Sequence, residues 1–98
     1  MSSMDVQHSD DTRGGAFFVV QSGARVAELT YVRGPSGVVT ADHTFTDPSL
    51  RGRGVAKQLL EAFVSWIAKE GFKVVPACSY VARAFDENPA YASLRARG

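Results

Sequence analysis

The sequence predicts an α+β domain, a mixed sheet that begins as an antiparallel meander of three strands and ends in one strand–helix–strand crossover. Three observations carry this. β-Branched and aromatic stretches fill the first half of the chain, a helical apolar stripe occupies residues 54–70, and an apolar strand-like run follows it directly. The chain has 98 residues, enough for one hydrophobic core.

The elements follow in order. Residues 1–14 are polar and end in Gly14-Gly15, which reads as a disordered lead-in outside the fold; His8 falls there and receives no role. Residues 15–98 are then one domain. Ala16 to Gln21 and Arg25 to Arg33 read as strands joined by a hairpin turn at Ser22-Gly23, and Gly34-Pro35-Ser36-Gly37 closes the second. Val38 to Thr46 alternates cleanly, with Val39, Ala41, His43 and Phe45 expected on one face and Thr40, Asp42, Thr44 and Thr46 on the other. From Gly54 to Glu70, Val55, Leu59, Phe63 and Trp66-Ile67 form an amphipathic stripe, with Gly71 as the C-terminal cap. Phe72 to Cys78 reads as a buried fourth strand, parallel to the third through a right-handed crossover. Two short helical stretches end the chain, Tyr80 to Phe85 and one starting near Asn88-Pro89.

Composition narrows the function. Eleven basic against ten acidic residues give a net charge of +1, which argues against general nucleic-acid binding. A single cysteine excludes an internal disulfide, no Cys/His cluster has zinc spacing, and no metal is expected. No apolar run is long enough to cross a bilayer, and the acidic N-terminus resembles neither a signal nor a transit peptide. The expectation is a cytoplasmic protein that binds no membrane, as a monomer rather than an oligomer.

The chemistry concentrates between the third strand and the long helix, in Thr46-Asp47-Pro48-Ser49-Leu50-Arg51-Gly52-Arg53-Gly54-Val55-Ala56. Two glycines at a helix entry can turn several N–H groups toward an anion, and the positive end of the helix dipole adds to them. Arg51 and Arg53 offer charge and forked hydrogen bonds to phosphate oxygens. The spacing is not that of a Walker A loop, because Gln58 follows Lys57, nor of a dinucleotide fingerprint, because Lys57 stands where a third glycine belongs. Taken alone, Arg-Gly-Arg-Gly fits a surface turn with solvated arginines equally well.

Arg51-Gly52-Arg53-Gly54-Val55-Ala56 resembles the Arg/Gln-x-x-Gly-x-Gly/Ala signature of the GNAT acetyltransferases, in the same strand-to-helix context. His43-Thr44, Pro76-x-Cys78-x-Tyr80 and Asn88-Pro89-x-Tyr91 narrow the resemblance to a small GNAT-like family of about a hundred residues, over roughly residues 15 to 95. The resemblance implies acetyl-CoA as co-substrate. Its pyrophosphate would rest on Arg51, Gly52, Arg53, Gly54, Val55 and Ala56, and its pantetheine arm would pair with backbone at Phe45 and Thr46 between splayed strands. Asn88 and Tyr91 would stand near the cofactor, where Pro89 alters the usual pattern. Larger GNATs insert two helices after their first strand to build an acceptor pocket; this chain lacks them.

Two further residues stand out. His43 on an apolar face reads as a satisfied core histidine, and Cys78 as a small buried hydrophobe. The resemblance implies catalytic residues at both. Cys78 lies at a helix start, which lowers a thiol pKa, and His43 is expected beside it as partner. Tyr80 either reaches the site or fills the core; many GNATs use a tyrosine as general acid. The reading is an acetyl-CoA-dependent N-acetyltransferase acting on an unidentified amine, of a small molecule or a protein. Its alternatives are a CoA-binding module without turnover and a nucleic-acid contact through Arg51 and Arg53, for which the sequence offers few stacking aromatics.

Overall fold

The computed structural model describes residues 5–96, and it orders the strands of one five-stranded sheet as they occur in the chain. β1 (Gln7–Asp10), β2 (Gly14–Gln21), β3 (Ala24–Arg33) and β4 (Val38–Thr46) are antiparallel neighbours, and β5 (Lys73–Pro76) lies parallel to β4. α1 (Val55–Glu70) makes the crossover, α2 (Ser79–Glu87) follows β5, and a 3-10 turn spans Pro89–Leu94. Among the described residues, no helix is long and apolar enough to cross a membrane.

The expected stripe packs α1. Val55, Leu59, Leu60, Phe63 and Ile67 are buried against Phe17, Val19, Ala27, Leu29, Tyr31, Val39, Ala41 and Val74 from one face of the sheet. Each such aliphatic or aromatic side chain contributes about 1.5–3 kcal/mol on leaving water. Gly71 ends the helix in the left-handed region, as its position predicts, and its N–H donates to the Ala68 and Ile67 carbonyls. Val81 and Phe85 bring α2 into the same core.

The lead-in corrects the sequence reading. Residues 7–10 are not a disordered tail but an edge strand, in register with Gly15–Phe18 of β2; residues 1–4 of the expected tail, and 97–98 of the expected domain, lie outside the described residues. What holds β1 is not apolar area, so composition could not detect it. His8 stacks on Phe17 (centroids 3.9 Å apart, 13° between planes) and meets Trp66 edge-on at 4.8 Å. The Tyr31 hydroxyl donates to Asp10 Oδ1 at 2.7 Å and lies 2.7 Å from His8 Nε2, while Arg33 grips both oxygens of Asp10. Gly15, read as a mark of flexibility, is instead a close approach: a Cβ there would sit 2.0 Å from the Ser9 carbonyl oxygen. The fourth strand is also shorter than expected, because after Pro76 the chain leaves the β4 ladder.

Candidate active site

β4 and β5 run together only as far as Ala41↔Pro76. There the N–H groups of Ala77 and Cys78 both donate to the Ala41 carbonyl (3.0 and 2.8 Å), and the paired ladder ends. The second half of β4 continues beside β3 to Thr46, so the two parallel strands part at their carboxyl ends, where open α/β sheets bind ligands.

A bulge at this point decides which side chains face inward. Thr30 pairs with His43 and Tyr31 with Ala41, leaving Asp42 as an extra residue in β4; its Oδ1 accepts a hydrogen bond from the Thr30 hydroxyl at 2.6 Å. The expected alternation therefore holds through Ala41 and inverts beyond it. Thr44, opposite buried Leu29, and Thr46, opposite buried Ala27, face the helices; His43 and Phe45 face away. The expected pairing of His43 with Cys78 does not form. The His43 imidazole is 56% exposed and its Nε2 lies 3.6 Å from Glu28 Oε2, on the face of the sheet opposite the core. The partner of the Cys78 sulfur is the Thr44 hydroxyl, 3.2 Å away.

Cys78 is half-buried and caps α2. Burial pushes its thiol up, but the Thr44 hydroxyl and the backbone amides of Val81 and Tyr80 in the first turn of α2 favour the thiolate, leaving the net value below that of an ordinary thiol. Tyr80 is also half-buried, and burial, with Tyr91 and Glu61 nearby, pushes its phenol up and keeps it protonated at neutral pH.

The glycine turn forms as its sequence predicts. Gly52 and Gly54 take positive φ of 83° and 76°, and a Cβ on either would meet only open space, so the surface beside them is free for a ligand. Gly54 caps α1 without a side chain, and the first intrahelical bond is Gln58 N–H to the Gly54 carbonyl (3.0 Å), which leaves the amides of Val55, Ala56 and Lys57 outside the helical ladder. Just before the turn, Asp47 accepts from the Ser49 N–H and hydroxyl; those bonds hold its carboxyl below the usual range and brace the approach to Arg51.

Two adjoining clefts open here. One, of about 230 Å³, is lined by Thr46, Arg51, Gly52, Gly54, Val55 and Ala56 of the expected set, together with Leu50, Lys57 and Tyr80. The other, of about 370 Å³, lies between α1 and α2 and includes Asn88 and Tyr91. Lys57 and Tyr80 line both, so the two form one trough. Arg53 and Phe45 line neither: Arg53 is exposed in the turn, and the Phe45 ring lies 40% exposed on the far face. The Asn88 side-chain oxygen is engaged in accepting from the Ala90 N–H at 3.0 Å. Sequence reasoning missed Thr44, Lys57, Arg83 and Glu87. A helical projection from Gly54 would have found Lys57 one turn in; Thr44 entered only through the His43-Thr44 resemblance, and its inward facing had no signal, because a bulge leaves no mark in a period-two pattern. Among the described residues, no cluster of three or more His, Cys, Asp or Glu could hold a metal ion.

Comparison with known proteins agrees with this architecture. The GCN5-related N-acetyl-transferase family matches residues 16–94. Protein NATD1 of Xenopus tropicalis is 33% identical over 89 residues, covering 90% of this chain and 80% of its own. The solution structure of a GCN5-like protein from Staphylococcus aureus superposes with a TM-score of 0.75 at 24% identity, over 98% of this chain and 91% of that one. An aminoglycoside N-acetyltransferase crystallised with CoA shares the fold more distantly, with a TM-score of 0.54 at 22% identity over 91% of this chain and 71% of its own.

Proposed function

The chain belongs to the GCN5-related N-acetyltransferase family, and from that premise we propose that it binds acetyl-CoA in the trough between α1 and α2 and transfers the acetyl group to an amine. The observation that carries this reading is one open trough that runs from the Gly52–Gly54 turn, past Tyr80, to Asn88 and Tyr91, with Thr46 of β4 on its wall.

The pyrophosphate accepts hydrogen bonds from the Val55, Ala56 and Lys57 amides at the positive end of α1, and Arg51 and Arg53 neutralise its charge. The pantetheine arm completes the sheet where β4 loses its neighbour, using the Phe45 and Thr46 backbone; the Phe45 ring takes no part. Asn88 and Tyr91 border the adenosine side. The Cys78 thiolate attacks the acetyl carbonyl, the carbon–sulfur bond to CoA breaks, and the departing thiolate takes the proton of the Tyr80 phenol. An amine then attacks the Cys78 thioester, the carbon–sulfur bond to Cys78 breaks to give back its thiolate, and the proton the amine loses is taken up by His43 or water and returned through solvent to the Tyr80 phenolate. His43, beside Glu28 on the open face, serves an amine that arrives from that side, and the same residue would serve direct transfer without a thioester.

Mass spectrometry after incubation with acetyl-CoA tests the reading. The expected result is an acetyl group on Cys78 that disappears when a competent amine is added, and calorimetry should show CoA binding that survives Cys78→Ala. Absence of CoA binding would end the proposal. A CoA-binding module without turnover is the second reading. It is favoured by the tight link of residues 11–13 between β1 and β2, where larger GNATs insert two helices after their first strand, and by Val32, Phe45 and Val75, which lie exposed on the face opposite α1.

A further inference from the structure

We propose that Thr44 is the positioning residue of Cys78: its hydroxyl donates to the sulfur, holds it where β4 and β5 part, and stabilises it as a thiolate. The proposal rests on the reading in which Cys78 receives the acetyl group.

Geometry carries it. Without the extra residue at Asp42, strict alternation would turn His43 toward the helices and Thr44 away from them; with it, Thr44 faces inward. Its Oγ1 then lies 3.2 Å from Cys78 Sγ, across the point where β4 and β5 separate. Two residues on from each partner, Thr46 and Tyr80 line the trough where it meets the glycine turn. The contact thus joins the two parted strands just behind the trough wall; Thr44 and Cys78 themselves line neither cleft. A hydroxyl suits this place better than an imidazole. It donates to a thiolate and accepts from a thiol without carrying a charge, so it can stay bonded to the sulfur before and after acetyl transfer. The Thr30–Asp42 hydrogen bond pins the bulge from the opposite face and fixes the register on which the arrangement depends.

The test is the pH dependence of Cys78 alkylation by iodoacetamide in the native protein and in Thr44→Val, Thr44→Ser and His43→Ala. A hydrogen bond to a charged group corresponds to about one pH unit, so Thr44→Val should raise the alkylation midpoint by about that much. Because a more basic thiolate is also more nucleophilic, the rate at neutral pH should fall only about threefold. Thr44→Ser, which keeps the hydroxyl, should restore the native midpoint, and His43→Ala should leave it unmoved. CoA affinity and circular dichroism of each variant report whether the fold is intact, and since valine keeps threonine's shape without the hydroxyl while serine keeps the hydroxyl without the methyl, a packing defect would not follow the hydroxyl. A Thr44→Val midpoint equal to the native one, or a shift that Thr44→Ser shares, overturns the proposal. So does a His43→Ala shift larger than that of Thr44→Val. If the native protein binds acetyl-CoA but never carries acetyl on Cys78, the transfer reading fails, while the alkylation midpoints still decide the Thr44–Cys78 coupling.

Discussion

The two ends of the sheet use similar residues for opposite purposes. At the β1 end, charged and aromatic groups close on one another: Asp10 is held by Tyr31 and Arg33, His8 lies between Phe17 and Trp66, and the Arg33 guanidinium also covers the rings of Trp66 and Phe72 at 5.5 and 5.1 Å. At the glycine turn, the Arg51 and Arg53 side chains make no hydrogen bond or ion pair among the described residues, and the first amides of α1 lie outside the helical ladder. Glycine shows the same contrast. Gly15 is needed because β1 presses on it, whereas Gly54 is needed for its backbone conformation and borders empty space. Groups satisfied within the fold hold it together, and groups left unsatisfied at a cleft are available to a ligand.

The largest expected effect comes from removing one end altogether. Deleting residues 5–12 should cost at least about 2 kcal/mol from the His8 ring contacts alone, a fall in Tm of roughly 8–16 °C, with CoA affinity nearly unchanged. An unaltered Tm in a thermal melt would mean that β1 contributes nothing, and the contrast between the ends would collapse.

A pair of glycine substitutions sharpens it. Gly15→Ala forces a methyl against the Ser9 carbonyl and should lower stability without affecting CoA binding. Gly54→Ala meets no atoms but must hold a left-handed φ, costing about 1 kcal/mol in stability while bringing its methyl into the cleft and weakening CoA binding. Chemical denaturation and calorimetry on both variants should give this crossed pattern; parallel losses in the two would contradict it.

Arg51→Ala and Arg53→Ala isolate charge from conformation. Each should weaken CoA binding about tenfold at low salt, less at high salt, and leave the melt where it was. Salt-independent affinities equal to the native value would return the turn to an ordinary surface loop with solvated arginines.

The smallest effect is a pH slope confined to the β1 end. Burial is the main influence on His8 and holds its imidazole below the ordinary 6.5, with Arg33 adding to it and Asp10 opposing. The folded state therefore binds this proton less readily than the unfolded chain, and the stability involved is complete above pH 6.5 and declines as pH falls below it. Asp10 acts in the same direction further down. Burial pushes its carboxyl up, the Arg33 and Tyr31 hydrogen bonds more than reverse this, and its contribution is present above 3.8 and lost as pH falls below. Denaturation curves for the native protein and His8→Ala should converge as pH drops from 7 to 5; curves that stay parallel would show that His8 has no part in acid sensitivity.

The residues themselves show how far the sequence could be read. The stripe from Val55 to Ile67, the strand from Val38 to Thr46, the Gly71 cap and the Gly52–Gly54 turn all form where the sequence predicts them, because each is specified by short-range periodicity or by backbone demands that only glycine meets easily. Arg51, Gly52, Gly54, Val55 and Ala56 line one cleft for the same reason: they adjoin in the chain at a helix start.

By itself, then, the sequence determined the α+β class, the crossover, the glycine turn at the start of α1 and the place of Cys78 at the head of a helix. Tertiary structure alone decided the rest. It folded residues 7–10 into the sheet, through ring stacking and ion pairs whose partners lie in β2, β3 and α1. It also inserted Asp42 as an extra residue, so that Thr44 rather than His43 reached Cys78. The physical reason is common to both. A bulge or an edge strand is set by the balance of contacts across strands, and those contacts join residues far apart in the chain, where local periodicity carries no information.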